Sequence, residues 1–260
     1  MSVVGFGRTM HFNLESHTIY YARHGSHAYG LNVETSDEDF KGICIPPLEF
    51  ELGFLHNFEQ VEEMVSKGHP ADRTVYGLKK FMKLAAACNP NIIEVLFCEE
   101  GSIIHKTFCG DYLRKIRYSF LSKLAFNSFS GYALAQRKKC DARGMDDVRA
   151  RKNAMHLLRL SRMCHELMKD GEVKVWRKDR EELLAIRNGE RSLESIFTEV
   201  DDLYGKAKYW MDNGSKLPDK PNYETLEREC VTLHEMHYHL EEYDPTAMTS
   251  NGPGGCGSGW

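Results

Sequence analysis

The sequence predicts an α/β (α+β) protein: a small mixed sheet within residues 1–110, an α-helical domain over 111–244, and a disordered tail over 245–260. Three observations carry this reading. A β-branched and aromatic run, Thr18-Ile19-Tyr20-Tyr21, stops at Gly25-Ser26. An alternating acid pair, Asp37 and Asp39, opens a second extended segment. Beyond residue 110, apolar residues recur at helical rather than strand spacing.

Taken in order, Phe6–Leu14 and Ser16–Arg23 are strand candidates, a short helix fills 28–31, and Asp39–Ile45 is extended up to Pro46-Pro47. Asp72–Cys88 reads as one amphipathic helix, with Val75, Leu78, Phe81, Met82, Ala85 and Ala86 on one face. Asn89-Pro90 stops it, and Ile92–Phe97 reads as a strand. The helical part follows: Asp111–Lys139, broken near Ser130-Gly131; Asp146–Lys169; Ser192–Met211, with Ser192 as N-cap; and Pro221–Tyr243. The end of the chain, SNGPGGCGSGW, is rich in Gly, Ser and Pro and is expected to be disordered.

Composition narrows the function classes. With 260 residues, 42% hydrophobic and 28% charged, the chain is ordinary for a globular protein with a sizeable core. A net charge of −4 gives no global pull toward nucleic acid or anionic membranes. Basic residues do cluster locally, at Arg137, Lys138, Lys139, Arg143, Arg149, Arg151, Lys152, Arg159 and Arg162. The eight cysteines show no zinc spacing, so reduced, mostly buried thiols in a cytoplasmic protein are expected. No basic-then-apolar leader pattern opens the chain, and no run nears the roughly eighteen apolar residues of a membrane helix. His234, His237 and His239 lack metal-motif spacing, and Gly5-Phe6-Gly7 is too short for a dinucleotide fingerprint. No feature bears on oligomeric state.

The chemistry concentrates between Tyr20 and Gly42. Residues two apart on a strand share a face, so Asp37 and Asp39 can put oxygens on one spot. Such a pair suits a hard cation, Mg²⁺ or Mn²⁺, that takes its other ligands from substrate phosphates. Gly25 lets backbone approach a ligand, and the Ser26 hydroxyl can face a phosphate. Lys41 alternates onto the face of Asp39, where it reads equally as a phosphate contact or a solvated strand-end lysine. Tyr29 reads as core packing or as a base-stacking ring.

The string GSHAYGLNVETSDEDFKG, with ten residues (27 to 36) between Ser26 and Asp37, resembles the DNA polymerase beta-like nucleotidyltransferase superfamily. It is similar in particular to the bacterial and phage branch of RNA-ligase-associated polynucleotide nucleotidyltransferases. Gly25, Ser26, Ala28, Tyr29, Gly30, Ser36, Asp37, Asp39 and Gly42 carry the match. Asn89-Pro90 through Glu94 to Phe97, Lys152 through His156 to Leu160, and Arg180-Glu181 to Glu190 resemble further motifs of that branch, so the likeness covers roughly 16–240. His27 departs from it, since many relatives have Arg there.

The resemblance implies a polymerase beta-type nucleotidyltransferase core and transfer of NMP from an NTP to an acceptor hydroxyl, an RNA 3′ end above others. Two metal ions would be held by Asp37, Asp39 and a third acid, for which Glu94 is the first candidate and Asp72 the second. Gly25, Ser26 and Lys41, with Lys152, His156 and Arg159 on one stripe of a helix, would bind the nucleotide. The basic segment 137–162 would follow an RNA backbone. A protein-modifying nucleotidyltransferase (antitoxin- or AMPylator-like) and a non-catalytic nucleotide-binding module are the alternatives.

Overall fold

The computed structural model describes residues 12–67, 69–142 and 147–242. The expected strand at Phe6–Leu14 falls mostly outside them, its end at 12–14 being loop and turn, and the expected tail lies wholly outside. Among the described residues five strands form one mixed sheet. β1 (Thr18–His24) and β2 (Glu38–Cys44) pair antiparallel, β3 (Gln60–Lys67) and β4 (His69–Gly77) form an antiparallel pair, β2 joins β4 in parallel, and β5 (Ile103–Lys106) lies on the far edge of β1. The α/β core followed by helices that the sequence predicts is therefore what the structure contains.

Between β1 and β2 sits α1 (Gly25–Tyr29), one short turn earlier than expected, so that Gly25 and Ser26 open the helix instead of preceding it. Gly30 closes it in the left-handed region at φ +72°, a conformation glycine adopts without steric cost. A four-residue helix, α2 (Leu48–Glu51), follows Pro46-Pro47.

Two sequence assignments need correction here. Residues 72–77 are not helical: they complete β4, and the helix α3 spans only Leu78–Ala86. Thr74, Val75 and Tyr76 are residues that suit a pleated sheet, and β4 has strand partners on both sides. Glu94 does not lie on a strand either, because Pro90–Phe97 is a helix, α4. Asn89 caps it by accepting a hydrogen bond from the Asn91 N–H, and Pro90 occupies the first turn. Ile92, Ile93, Glu94, Val95 and Leu96 are all buried, and a run buried on every side reads the same as strand or helix; the Asn-Pro start is the deciding signal.

The remaining helices are α5 (Phe108–Lys115), α6 (Leu124–Asp141), α7 (Val148–Asp170), α8 (Arg180–Asn188), α9 (Leu193–Asn213) and α10 (Tyr223–Glu242). The expected break at Ser130-Gly131 is absent, and α6 runs through it; the chain turns instead over 116–123. A side chain at Gly131 would meet nothing within 4 Å, so this glycine sits where no packing demands a kink. Ser192 caps α9 as expected, accepting from the Ser195 N–H.

α7 is central to the helical half, packing against α6, α8 and α9. α10 returns to the sheet half, where the Tyr238 hydroxyl donates to the Pro46 carbonyl and the Tyr112 hydroxyl donates to Glu229. One apolar core runs from Ile19, Ile43 and Phe81 through Phe129 and Leu158 to Leu233, crossing residue 110 without interruption. A smaller cluster of Leu14, Cys44, Phe50, Phe58, Val61 and Val75 covers the opposite sheet face. The seven described cysteines are all free thiols, six of them buried. Among the described residues no helix is long and apolar enough to cross a membrane.

The sheet face toward the helices changes character along its length. Tyr20, Ile43 and Tyr76 lie at the buried end. Two and four residues away on the same strands, His24, Asp39, Lys41, Asp72 and Thr74 line an open cleft. Strand periodicity alone thus hands one face to both the core and the site.

Candidate active site

The cleft holds about 700 Å³ and has three walls. Its floor is the polar end of the sheet. Asp39 on β2 stands in register with Asp72 on the parallel neighbour β4, and Lys41 with Thr74 two residues further on. Paired strands lie about 4.8 Å apart, so side chains in register on one face are immediate neighbours. Asp37 precedes β2 by one residue and lines the same floor. One side wall is the Gly25-Ser26 turn of α1; the other is made by α6 (Tyr132, Gln136, Lys139) and α7 (Lys152, His156, Arg159).

Gly25 is required twice over. Its φ is +64°, and a Cβ there would lie 2.1 Å from the Asp39 Oδ2. The turn is therefore pressed onto the carboxylate, which is the adjacency of glycine-serine bend and acid pair that the sequence implied.

The floor gathers negative charge around Asp39. The Asp39 carboxyl is raised above its ordinary range, first by burial and then by the like charges of Asp72 and Asp37; Lys152 and Lys41 work in the opposite direction. The Lys41 ammonium is lowered by burial, opposed by Asp39 and Glu94, and its Nζ lies 3.4 Å from the Tyr76 hydroxyl. A buried carboxylate beside other acids is relieved by a bound cation. Among the described residues no group of three His, Cys, Asp or Glu side chains is placed to hold a metal ion. Mg²⁺ does not need one, since it keeps waters and takes ligands from substrate phosphates beside one or two carboxylates. Asp39 and Asp72, in register on neighbouring strands, have the oxygen-donor chemistry such an ion takes, with Asp37 on the same floor.

Glu94, the first choice for the third acid, is elsewhere. Its side chain is fully buried behind the cleft wall, and both oxygens are taken. The Arg159 Nη1 donates to Oε1 at 2.5 Å and the Tyr29 hydroxyl donates to Oε2 at 2.5 Å, while the His24 Nε2 lies 3.6 Å from Oε2. Glu94, carried by α4, is committed to Arg159 and Tyr29, whereas the second candidate, Asp72, stands in register beside Asp39. Tyr29 likewise resolves to packing, being buried with its hydroxyl committed to Glu94.

Of the expected nucleotide-binding residues, Gly25, Ser26, Lys41, Lys152, His156 and Arg159 all line the cleft. They differ in chemistry. The His156 imidazole is pushed down to about 3, by burial and then by Arg159 and Lys152, so it presents a neutral ring. Burial works against the Arg159 charge, but Glu94 and Tyr29 restore it and hold the group cationic. His24, at the end of β1, is kept neutral by burial, with Lys41 and Arg159 adding to the effect.

The basic segment is less available than its composition implied. Arg137 pairs with Asp201, Arg162 with Asp179, Glu182 and Glu199, and Arg159 with Glu94, while Lys139 and Lys152 face the cleft. The α6 wall was not foreseen as part of the site. Tyr132, Gln136 and Lys139 recur at i, i+4, i+7, a stripe visible in the sequence but indistinguishable there from any solvated helix face.

Carboxylates on neighbouring strands beside a tight glycine turn, faced across a cleft by helix-borne cations, agree with the nucleotidyltransferase class that the sequence resembles. Comparison with known proteins narrows this class. Residues 8–228 match the RNA repair pathway DNA polymerase beta family, and the chain belongs to that family. It is 28% identical over 134 residues to the 38.9 kDa protein of the nrdC-mobD intergenic region of enterobacteria phage T4; the match takes in 49% of this chain and 40% of that protein. The chain thus spans about two fifths of that relative's length. A solved structure, the nucleotidyltransferase-like protein from Exiguobacterium sibiricum 255-15, is similar at 11% identity and a TM-score of 0.31, over 88% of this chain and 75% of that one.

Proposed function

We propose that this protein transfers a nucleoside monophosphate from an NTP to an acceptor hydroxyl, and that the acceptor is an RNA 3′ end. The register of Asp39 with Asp72, beside the Gly25-Ser26 turn, is the observation that carries the reading. Asp37, Asp39 and Asp72 would hold Mg²⁺. When bound, the metal supplies Lewis-acid activation of the attacking hydroxyl and charge neutralisation at the leaving pyrophosphate.

The chain's own side chains do the rest. Ser26 offers its hydroxyl to the phosphates, and Lys152 and Lys41 balance the charge that grows on them. Lys41 is held by β2 and by Tyr76, so it meets the substrate without a large loss of side-chain freedom. The α6 wall, with Tyr132 and Gln136, leaves room for the nucleoside or the acceptor end, and Lys139 lies where an RNA phosphate would pass. Membership of an RNA repair pathway family supports RNA over other acceptors.

The test is incubation with Mg²⁺, each labelled NTP, and RNA with free or blocked 3′ ends, alongside a protein lysate. Label on RNA with a free 3′ hydroxyl, lost on blocking and lost in Asp39→Ala, is the expected result. Label on a protein band instead would replace the acceptor, and undiminished labelling by Asp39→Ala would refute the site.

A further inference from the structure

We infer that Glu94 is a positioning residue: buried with Tyr29, it presets Arg159 as the cleft's fixed receptor for the triphosphate. The inference rests on the nucleotide-binding reading above and deepens it. Three motifs far apart in the chain supply the parts, namely Tyr29 in α1, Glu94 in α4 and Arg159 in α7. They converge on one network, with the Arg159 guanidinium carbon 3.7 Å from the Tyr29 ring centroid and both aromatic hydroxyl and cation hydrogen-bonded to the same carboxylate.

Arg159 is nearly inaccessible, 3% exposed, yet it lines the cleft. Its Nη1 is spent on Glu94 and the Met163 sulfur, while its Nε is buried with no hydrogen-bond partner. A buried guanidinium N–H left unsatisfied is costly unless something completes it. An anionic oxygen in the cleft would do so, and guanidinium donors match phosphate well. The carboxylate and the ring fix the guanidinium, so binding an anion at the cleft costs it little side-chain freedom. Glu94 itself touches neither the cleft nor the carboxylate floor, and acts through Arg159.

Inorganic tripolyphosphate is a suitable probe because it needs no transfer activity. Glu94→Gln and Arg159→Gln are each expected to weaken its binding by about tenfold, the scale on which loss of an orienting partner is felt. The double variant should bind no more weakly than Arg159→Gln alone, since the two act as one unit. Mn²⁺ affinity at the Asp37-Asp39-Asp72 floor should be unmoved in Glu94→Gln, and KM for NTP should rise while kcat holds. Tyr29→Phe, which keeps the ring, should retain part of the tripolyphosphate affinity.

Additive losses in the double variant, a fall in Mn²⁺ affinity in Glu94→Gln, or a folded Glu94→Gln with wild-type tripolyphosphate binding would each overturn the inference. A wild-type protein that binds tripolyphosphate but labels no acceptor would overturn the transfer reading and leave this one standing.

Discussion

Gly25→Ala tests the site at the point where backbone and carboxylate touch. The perturbation is one methyl group. At φ +64° an alanine costs about 1–2 kcal/mol of backbone strain, which lowers the melting temperature by a few degrees in a chain of this size. The larger effect is local. The new Cβ would stand 2.1 Å from the Asp39 Oδ2, and an ordinary carbon–oxygen contact is about 3.3 Å, so the carboxylate has to retreat by about 1 Å. A displacement of that size in a reacting constellation costs about a hundredfold in rate. Mn²⁺ titration followed by electron paramagnetic resonance reads the metal site without an acceptor, labelled-NTP transfer reads catalysis, and a thermal melt confirms the fold. Weakened Mn²⁺ binding with transfer down about a hundredfold is expected. A folded Gly25→Ala protein that binds Mn²⁺ and transfers like the wild type would show that the glycine-serine turn does not set the acid pair.

Four further outcomes follow from the same geometry. Asp72→Asn should reduce Mn²⁺ affinity by no less than the roughly tenfold that loss of an outer partner causes, and an unchanged isotherm in the titration would remove Asp72 from the ligand set. Asp39 has a raised carboxyl, so the stability it contributes to the metal-free protein is present at low pH and is lost as pH rises through that raised value. Asp39→Asn should accordingly stabilise the metal-free protein at neutral pH, on the order of 1 kcal/mol by relief of repulsion, in urea denaturation. Mn²⁺ affinity in the wild type should run the other way, falling as acid protonates Asp39 from above the ordinary carboxylate range; a flat profile down to that range would contradict the raised Asp39 carboxyl. Glu94→Ala strands a buried arginine and should cost about 3–5 kcal/mol in the same urea assay, whereas a loss under about 1 kcal/mol would mean that Arg159 finds water or another partner.

Sequence and structure divide the explanation of this protein along a physical line. Where a residue's meaning is local, the sequence was sufficient. The β-aromatic run of β1, the left-handed glycine of the turn and the Ser192 cap all depend on neighbours within a few positions. The stripe of Lys152, His156 and Arg159 was equally legible, because helical spacing puts those three on one side whatever they face. Where meaning depends on which element lies next to which, only the tertiary structure decided. Asp72 reads as the start of a helix because the apolar positions after it run on at helical spacing, and only the pairing of β4 with both β2 and β3 makes it a strand residue beside Asp39. Glu94 sat in an apolar run equally suited to a buried strand or a buried helix, so its partner could not be inferred. Folded into α4, its charge is balanced by Arg159 from 65 residues away, a distance in sequence that no periodicity spans.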